Sequence, residues 1–503
     1  MSTYLAGLDI GTSSVKLSLW DLQKEEIILQ STEEYSTFQD NHRKVYQDAQ
    51  EVYHAVLRQL EKAIRKLNNQ TTNSKKSMIV VLDTALHTLL LLDKNMNPIS
   101  NIIPWIDERA DSIAAEIVRT DFARETHKRT GCPVDPVYPF YKLIWFKRNE
   151  AELLQNTGKI ASIKDFLLFK LTGNFVVDFA VASGTGYYDV KKRQWAEDLL
   201  KDLCGIDSEK LPYLVSPYEV LDASQEVKNF LGAQKMNIKF VAGVSDAAAS
   251  SIGATFRDVN LMTISMGTSA AVRRISSIPF LESKIPSSGI WCYAVDENSY
   301  ITGLALKNGG CLIEWWAKNF LRSKNYDQIG KLLDEMLDTN CFYPACNNLV
   351  FIPTVYGMRS PRWMPNKTGA LLGLSATSDI VEATKAVLQG LAFNLRRALE
   401  TVLNETRDSL GEISGIVATG GLCQMSNWPR FLANVINKPI TIRQNRYDAA
   451  NGSIFLYLRD IPKGLLEKLT KESNIFQASK QLVSKYDAIY SSWLSETNRW
   501  ERW

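Results

Sequence analysis

The sequence predicts an α/β protein in which one domain plan is used twice, with a ligand cleft between the copies. Three observations predict it. A short pattern occurs in both halves: Leu5-Ala6-Gly7-Leu8-Asp9-Ile10-Gly11-Thr12-Ser13-Ser14-Val15-Lys16, and Leu261-Met262-Thr263-Ile264-Ser265-Met266-Gly267-Thr268-Ser269-Ala270-Ala271-Val272. Each is an apolar alternating run, a Gly-Thr-Ser tip and a second alternating run, the pattern of a β-hairpin. Both hairpins are followed by segments of helical spacing. A chain of 503 residues is also long enough for two or more domains.

Taken in order, residues 4–10 and 15–21 read as the first hairpin and 26–32 as a third strand. Residues 48–67 place Val52, Ala55, Val56, Leu60, Ala63, Ile64 and Leu67 on one side of a helix. A polar stretch from Asn68 to Lys76 precedes the apolar run Met78 to Leu82, which reads as a buried strand. Leu89 to Leu92 reads as a strand entering the turn Asp93 to Pro98. Residues 108–120 and 141–156 read as helices. Strands return at 238–242 and 259–274. The last third reads as mostly helical, over 309–321, 327–337, 379–404, 427–436 and 478–495.

Composition narrows the function. Hydrophobic content of 45% and charged content of 22% are those of a soluble globular chain. A net charge of +3 argues against a dedicated nucleic-acid binder, which carries a basic stripe. The seven cysteines (Cys132, Cys204, Cys292, Cys311, Cys341, Cys346, Cys423) are odd in number and form no CxxC, and there are four histidines. Neither a disulfide framework nor a zinc site is expected, and a cytoplasmic location fits. No leader-like segment and no long apolar run suggests export or a membrane span.

The hairpin tips carry the first chemistry. Glycine lets backbone approach a ligand, and successive turn N–H groups make an anion-binding concavity. Gly-Thr-Ser is also an ordinary turn, and a single copy says little. The first copy carries more, because Asp9 sits in an apolar strand, where a carboxylate is costly unless paired. Lys16 lies on the return strand. Acid, hydroxyls and lysine around one tip suit Mg²⁺ and a nucleotide phosphate.

Three further segments matter. Phe240-Val241-Ala242-Gly243-Val244-Ser245-Asp246 is a strand running into a helix start. Asp246 there is either a general base facing the cleft or, with Ser245, a helix N-cap. Ile416-Val417-Ala418-Thr419-Gly420-Gly421 runs a strand into two glycines, which either admit a flat ring or make a bare turn. Lys307-Asn308-Gly309-Gly310 has the same ambiguity.

In this order the segments resemble the FGGY carbohydrate kinases of the actin-like ATPase superfamily, over essentially the whole chain. A signature block is recognisable in Tyr356-Gly357-Met358-Arg359-Ser360-Pro361-Arg362-Trp363 and on through Pro365 to Leu374, and another in Tyr141-Lys142-Leu143-Ile144-Trp145-Phe146. The resemblance implies two actin-like (ribonuclease H-like) domains, 1–252 and 253–503, with a nucleotide cleft between them. Ala85-Leu86-His87-Thr88, Pro104 to Ala110 and Arg129 to Pro136 are most similar to elements of gluconate-phosphorylating members. Xylulose kinases share the histidine and part of the second element and are the nearest alternative.

The resemblance also assigns roles. Asp246 matches the catalytic base, and Asp9 with Asp246 the Mg²⁺ side. Gly11, Thr12, Ser13 and Lys16 fall in the first phosphate loop, Gly267 and Thr268 in the second. Asn308, Gly420 and Gly421 fall on the nucleotide side, and Leu86, His87, Asp107 and Arg109 on the sugar side. Arg109, then Lys307, is the cation expected to hold a sugar-acid carboxylate, against a reading in which Arg109 caps a helix or pairs with Asp107 or Glu108. ATP and Mg²⁺ are the implied cofactors, and a sugar acid the implied substrate. No nucleic-acid or membrane partner is expected, and a homodimer is left open. Two positions depart from the family. Met358 stands where many members have Glu, and Met425 where many have Ser or Asn. A non-catalytic actin-like ATPase is the alternative of a different class.

Overall fold

The structure is a computed structural model that describes residues 2–40, 44–69, 76–277, 289–322, 327–338, 349–360, 363–410, 412–443, 448–471 and 473–502. Cys341, Cys346, Pro361 and Arg362 lie outside the described residues.

The first hairpin is β1 (Ser2–Ile10) and β2 (Ser14–Asp21), in a register that sets Asp9 against Lys16 and Ile10 against Val15. β2 pairs antiparallel with β3 (Glu26–Glu34). On its other edge β1 runs parallel to β4 (Lys76–Thr84). β5 (Val220–Asp222) lies antiparallel against β6 (Asn237–Ser245), which runs parallel to β4. The sheet order is therefore β3-β2-β1-β4-β6-β5. Its central strands are buried on both faces, as parallel strands between helical layers must be.

The second half repeats this plan. Its strands are β7 (Leu261–Met266), β8 (Ala270–Ser276), β9 (Trp291–Ala294), β10 (Tyr300–Leu306), β11 (Gly415–Thr419), β12 (Ile440–Arg443) and β13 (Ser473–Phe476). The order is β9-β10-β8-β7-β11-β12-β13, with β7–β8 an antiparallel hairpin and β7, β11 and β12 parallel. From the third strand of each meander outward, the two sheets match strand for strand.

Several expectations are corrected here. The last third is mostly helical as expected, with helices Ile380–Leu410, Trp428–Ile436 and Lys480–Arg502 among others, but the strands β9 and β10 just before it were not anticipated. β9 and most of β10 are buried on both faces, so they read as continuous apolar runs without the alternation that marks a strand. The helix expected over 108–120 spans only Asp111–Ile117. A second helix, Asp121–Thr130, starts where the Thr120 side chain accepts from the Ala123 N–H. The helix expected over 141–156 breaks at Glu150 into Pro139–Asn149 and Ala151–Asn156.

One pair of helices joins the halves. α1 (Asp246–Thr255) packs against α2 (Asp448–Leu458), which comes from the second half yet lies over β1 of the first sheet. A Cβ on Gly253 would collide with the Asp448 carbonyl, and one on Gly452 with the Ala249 carbonyl. The two helices therefore cross backbone to backbone, between Ala249 and Gly253 of α1.

Candidate active site

The tip of the first hairpin is held before any ligand arrives. Gly11 N–H donates to the Ser14 carbonyl at 3.0 Å, and the Tyr35 hydroxyl donates to the Gly11 carbonyl. The Thr12 carbonyl accepts from Thr37 Oγ1 at 3.1 Å and from the Gln47 amide. The Trp105 indole N–H donates to Thr12 Oγ1 at 3.2 Å. A hydroxyl that accepts in this way still has its own proton to donate to an anion. Ser13 is exposed.

Beneath the tip Asp9 is buried, with Lys16 Nζ 3.2 Å from its Oδ2. Its neighbour across the parallel ladder is Asp83, which is fully buried. Ser453 on α2 donates to Asp83 Oδ2 at 2.5 Å, while Oδ1 has no partner among the described residues. Burial, then the charge of Asp9, holds the Asp83 carboxyl well above the usual carboxylate range. Sequence reasoning missed Asp83. The available signal was the one that marks Asp9, a carboxylate closing an apolar strand.

Asp246 reaches the same place from β6. The strand is irregular between Val241 and Val244, where Gly243 adopts φ +70°. A Cβ there would collide with the Leu82 carbonyl, so this turn of backbone requires glycine. Lys164, fully buried, fastens the ends of β4 and β6. Its Nζ donates to the carbonyls of Leu82 at 3.0 Å, Ala242 at 2.6 Å and Val244 at 2.9 Å, and pairs with Asp178 at 3.3 Å. Sequence reasoning missed this lysine too.

Ser245 settles which residue caps α1: its Oγ accepts from the Ala248 N–H at 3.4 Å. Asp246 is left outside the cap, with Oδ1 accepting the Ala247 N–H at 2.8 Å. Burial and then Asp9 push its carboxyl up to about 6, while the Ala247 and Leu86 N–H groups and Arg273 act the other way. Arg273, on β8, was also missed. Its Nη1 donates to Ser265 Oγ at 2.8 Å, and its Nε has no partner among the described residues.

Leu86 and His87 follow β4 directly. His87 holds the uncommon φ of +65°, a strained conformation of the kind that gathers at functional sites. Its Nδ1 lies 2.6 Å from the Gly184 carbonyl, so Nδ1 carries the hydrogen and Nε2 is the acceptor. Burial holds the ring neutral, with its pKa lowered to about 3. The imidazole sits edge-on to Tyr138 and Tyr293, whose hydroxyls are 2.8 Å apart. Lys142, fully buried below, donates to the Pro104 carbonyl at 2.7 Å and the His87 carbonyl at 3.4 Å. Burial lowers its pKa to about 7.

Asp107 and Arg109 turn to each other. Arg109 Nε and Nη2 lie 2.7 and 3.1 Å from the two Asp107 oxygens. Asp107 is 1% exposed and also accepts the Val45 N–H at 2.7 Å. The Arg109 guanidinium lies over Trp145 and Phe146. This is the pairing alternative raised from the sequence, and it occupies the Nε–Nη2 edge of the guanidinium. Lys307 lies 3.7 Å from Glu108.

On the nucleotide side the Gly267 and Thr268 tip is exposed, and their carbonyls accept from the Gly310 and Cys311 N–H groups at 2.7 and 3.2 Å. Gly420, at φ +100°, presses against the Met266 carbonyl, and the space above Gly421 is open. Asn308 is placed differently from the expectation of a nucleotide contact. It is 3% exposed, donates to the Gly357 carbonyl at 2.8 Å and accepts the Tyr356 N–H at 3.0 Å. Its amide braces the signature turn. Met425 is partly buried.

A cavity of about 890 Å³ opens between the halves beside Tyr138, lined by Asp135 and Arg359 among others. Arg359 Nε and Asp135 Oδ2 are 2.7 Å apart across the domain joint. Among the described residues, no group of three or more His, Cys, Asp and Glu is arranged to hold a metal, and no helix is long and apolar enough to cross a membrane.

Duplicated sheets, paired tips and a half-buried carboxylate between them define a sugar-phosphorylating enzyme of the actin-like fold. The chain belongs to the FGGY family of carbohydrate kinases: the N-terminal domain model matches residues 4–253 and the C-terminal one 262–459. The non-catalytic alternative is thereby dropped. A gluconokinase of Bacillus licheniformis is 27% identical over 91% of this chain and 88% of its own. A xylulose kinase of Lactococcus lactis is 26% identical over 98% and 96%. The crystal structure of gluconate kinase from Lactobacillus acidophilus superposes with a TM-score of 0.87 at 26% identity, over 99% of this chain and 98% of that one.

Proposed function

We propose that this kinase transfers the γ-phosphoryl group of ATP to a hydroxyl of a sugar acid, with gluconate as substrate and 6-phosphogluconate as product. The observation that carries the reading is Asp246. It is free of capping duty, placed beside Asp9 and Leu86-His87, and poised near pH 6. A base tuned close to the working pH removes a hydroxyl proton most efficiently. The proton of the sugar hydroxyl passes to Asp246, the oxygen bonds to the γ-phosphorus, and the bond to the β-phosphate oxygen breaks, releasing ADP. The protein's part is positioning and charge neutralisation.

The first tip, with Thr12, Ser13 and Lys16, and the second, with Gly267 and Thr268, grip the phosphates from opposite sides. Gly420 and Gly421 leave room for the adenosine. Mg²⁺ suits the donor set. Two buried carboxylates, Asp9 and Asp83, face each other with one Asp83 oxygen unpaired, yet they form no all-protein cage. That is the pattern of an ion brought in on the nucleotide and held by one or two carboxylates, here Asp9 and Asp246. Bound there, Mg²⁺ would draw charge from the transferring phosphoryl group. Leu86 and His87 would face the sugar, with the neutral His87 Nε2 accepting from a hydroxyl.

Gluconate is supported by the gluconokinase relatives and by cations around the interdomain cavity. Xylulose remains the second reading, because a xylulose kinase matches at nearly the same identity over more of the chain. ADP release from ATP in the presence of gluconate, xylulose, ribulose, fuculose, glycerol or erythritol separates them. Gluconate is expected to give the highest kcat/KM, and a preference for xylulose would overturn the reading.

A further inference from the structure

The carboxylate of a sugar acid needs a cation with an open bidentate edge, and Arg109 does not offer one. Its Nε–Nη2 edge is closed on Asp107, its face is covered by Trp145 and Phe146, and only 8% of its side chain is exposed. Arg359 does. Its side chain is 20% exposed, and Nε alone is engaged, by Asp135 Oδ2 at 2.7 Å. Among the described residues its two terminal nitrogens have no hydrogen-bond partner. Asp135 is oriented in turn, since its Oδ1 accepts the Val137 N–H at 3.1 Å. The guanidinium is thus held from behind with its outer edge presented.

The edge opens on the right place. Arg359 and Tyr138 both line the interdomain cavity of about 890 Å³, and Tyr138 is the ring against which His87 stands edge-on at 4.9 Å. Arg359 is also in electrostatic reach of His87 and Tyr293. A track therefore runs from Asp246, whose carboxyl the Leu86 N–H helps to draw down, through His87 and the Tyr138–Tyr293 pair to Arg359 and Asp135. The charged groups along the cavity favour an anion at that far end. Arg119, Arg124, Arg359 and Lys367 stand against Asp121 and Asp135, and burial keeps His127 neutral with its pKa lowered to about 4.

We propose that Arg359, backed by Asp135, is the specificity residue that binds the substrate carboxylate and so sets the direction in which the sugar acid lies, its terminal hydroxyl at Asp246 and its acid at Arg359. This rests on the sugar-acid reading above. Asp135 comes from the first half and Arg359 from the second, so substrate bound at this pair also bridges the two domains.

The test compares gluconate with gluconamide, in which a neutral amide replaces the carboxylate. The unmodified enzyme is expected to prefer gluconate, chiefly through KM. Arg359→Met is expected to lower kcat/KM for gluconate by about 10²-fold, the scale for truncating a buried charged hydrogen-bonding partner. It should leave the gluconamide value within a few-fold, which abolishes the preference. Arg359→Lys keeps the charge and the pairing with Asp135 but loses the planar fork, and should lower the gluconate-to-gluconamide ratio without unfolding the protein. Equal losses on both substrates, or a ratio near one in the unmodified enzyme that turns over gluconate, would overturn the proposal. A preference for xylulose over gluconate would instead overturn the substrate reading on which it rests.

Discussion

The two Gly-Thr-Ser hairpins have one backbone plan and different chemistry. In the first, the pair just below the tip is Asp9 and Lys16. In the second, the corresponding pair is Ser265 and Ala271. The parallel neighbour of Asp9 is Asp83, whereas that of Ser265 is Thr419. The first hairpin therefore gathers negative charge at its base and suits a cation. The second has no carboxylate at those positions and carries Arg273 one pair further along the same face, donating to Ser265. The two hairpins share a shape, and different residues at the same strand positions give their bases different chemistry. The shared tip alone identifies neither role.

Breaking each member of the comparison gives effects of graded size. The largest is expected between the hairpins. Asp246→Asn should lower kcat by about 10²–10⁴-fold, the usual contribution of a general base. Binding of ATP and sugar, followed by calorimetry, should be nearly unchanged, and a near-normal kcat would remove Asp246 from the mechanism. At the first hairpin, Asp9→Asn should lower kcat by about 10²-fold, as loss of a preorganised charged group does, and raise the Mg²⁺ concentration needed for half-maximal rate. An unchanged Mg²⁺ requirement would detach Asp9 from the cation. At the second hairpin, Ser265→Ala removes only the acceptor of the Arg273 bond. A loss of about two- to tenfold is expected, and a loss as deep as that of Asp9→Asn would erase the distinction drawn between the hairpins.

Arg109 gives a stability effect with little selectivity. Arg109→Leu leaves the buried Asp107 carboxylate without its partner, which costs about 3–5 kcal/mol. Urea unfolding should show that loss, and any fall in kcat/KM should be equal for gluconate and gluconamide. A loss confined to gluconate would return carboxylate recognition to Arg109.

What could be read from the sequence follows physical lines. Both hairpins were legible because a strand, a Gly-Thr-Ser tip and a second strand recur, so the repeat supplied a signal where burial on both faces blurs alternation, and Asp9 stood out as a charge in an apolar run. β9 and β10 were not legible, because strands buried on both faces lose that alternation. The choice between cap and base at Ser245-Asp246 was open until geometry assigned the cap to Ser245. Lys164 and Gly243 carry no local signal at all, since their roles are to fasten β4 to β6 and to pass beneath the Leu82 carbonyl. Arg359 stood in plain view in the signature block. Its meaning depends on Asp135, 224 residues away in the chain.

The proposed role of Asp246 as a base in the field of Asp9 is tested most directly by the pH dependence of kcat/KM. Asp246 must be deprotonated to accept the proton, so activity should fall on the acid side with an apparent pKa of about 6. Asp9 raises that value, so in Asp9→Asn the acid limb should move to lower pH even as the maximal rate drops. A limb near 6 is expected in the unmodified enzyme, and its downward shift in the variant. A profile flat from pH 7 down to the usual carboxylate range, or a limb that stays in place when Asp9 is neutralised, would contradict it.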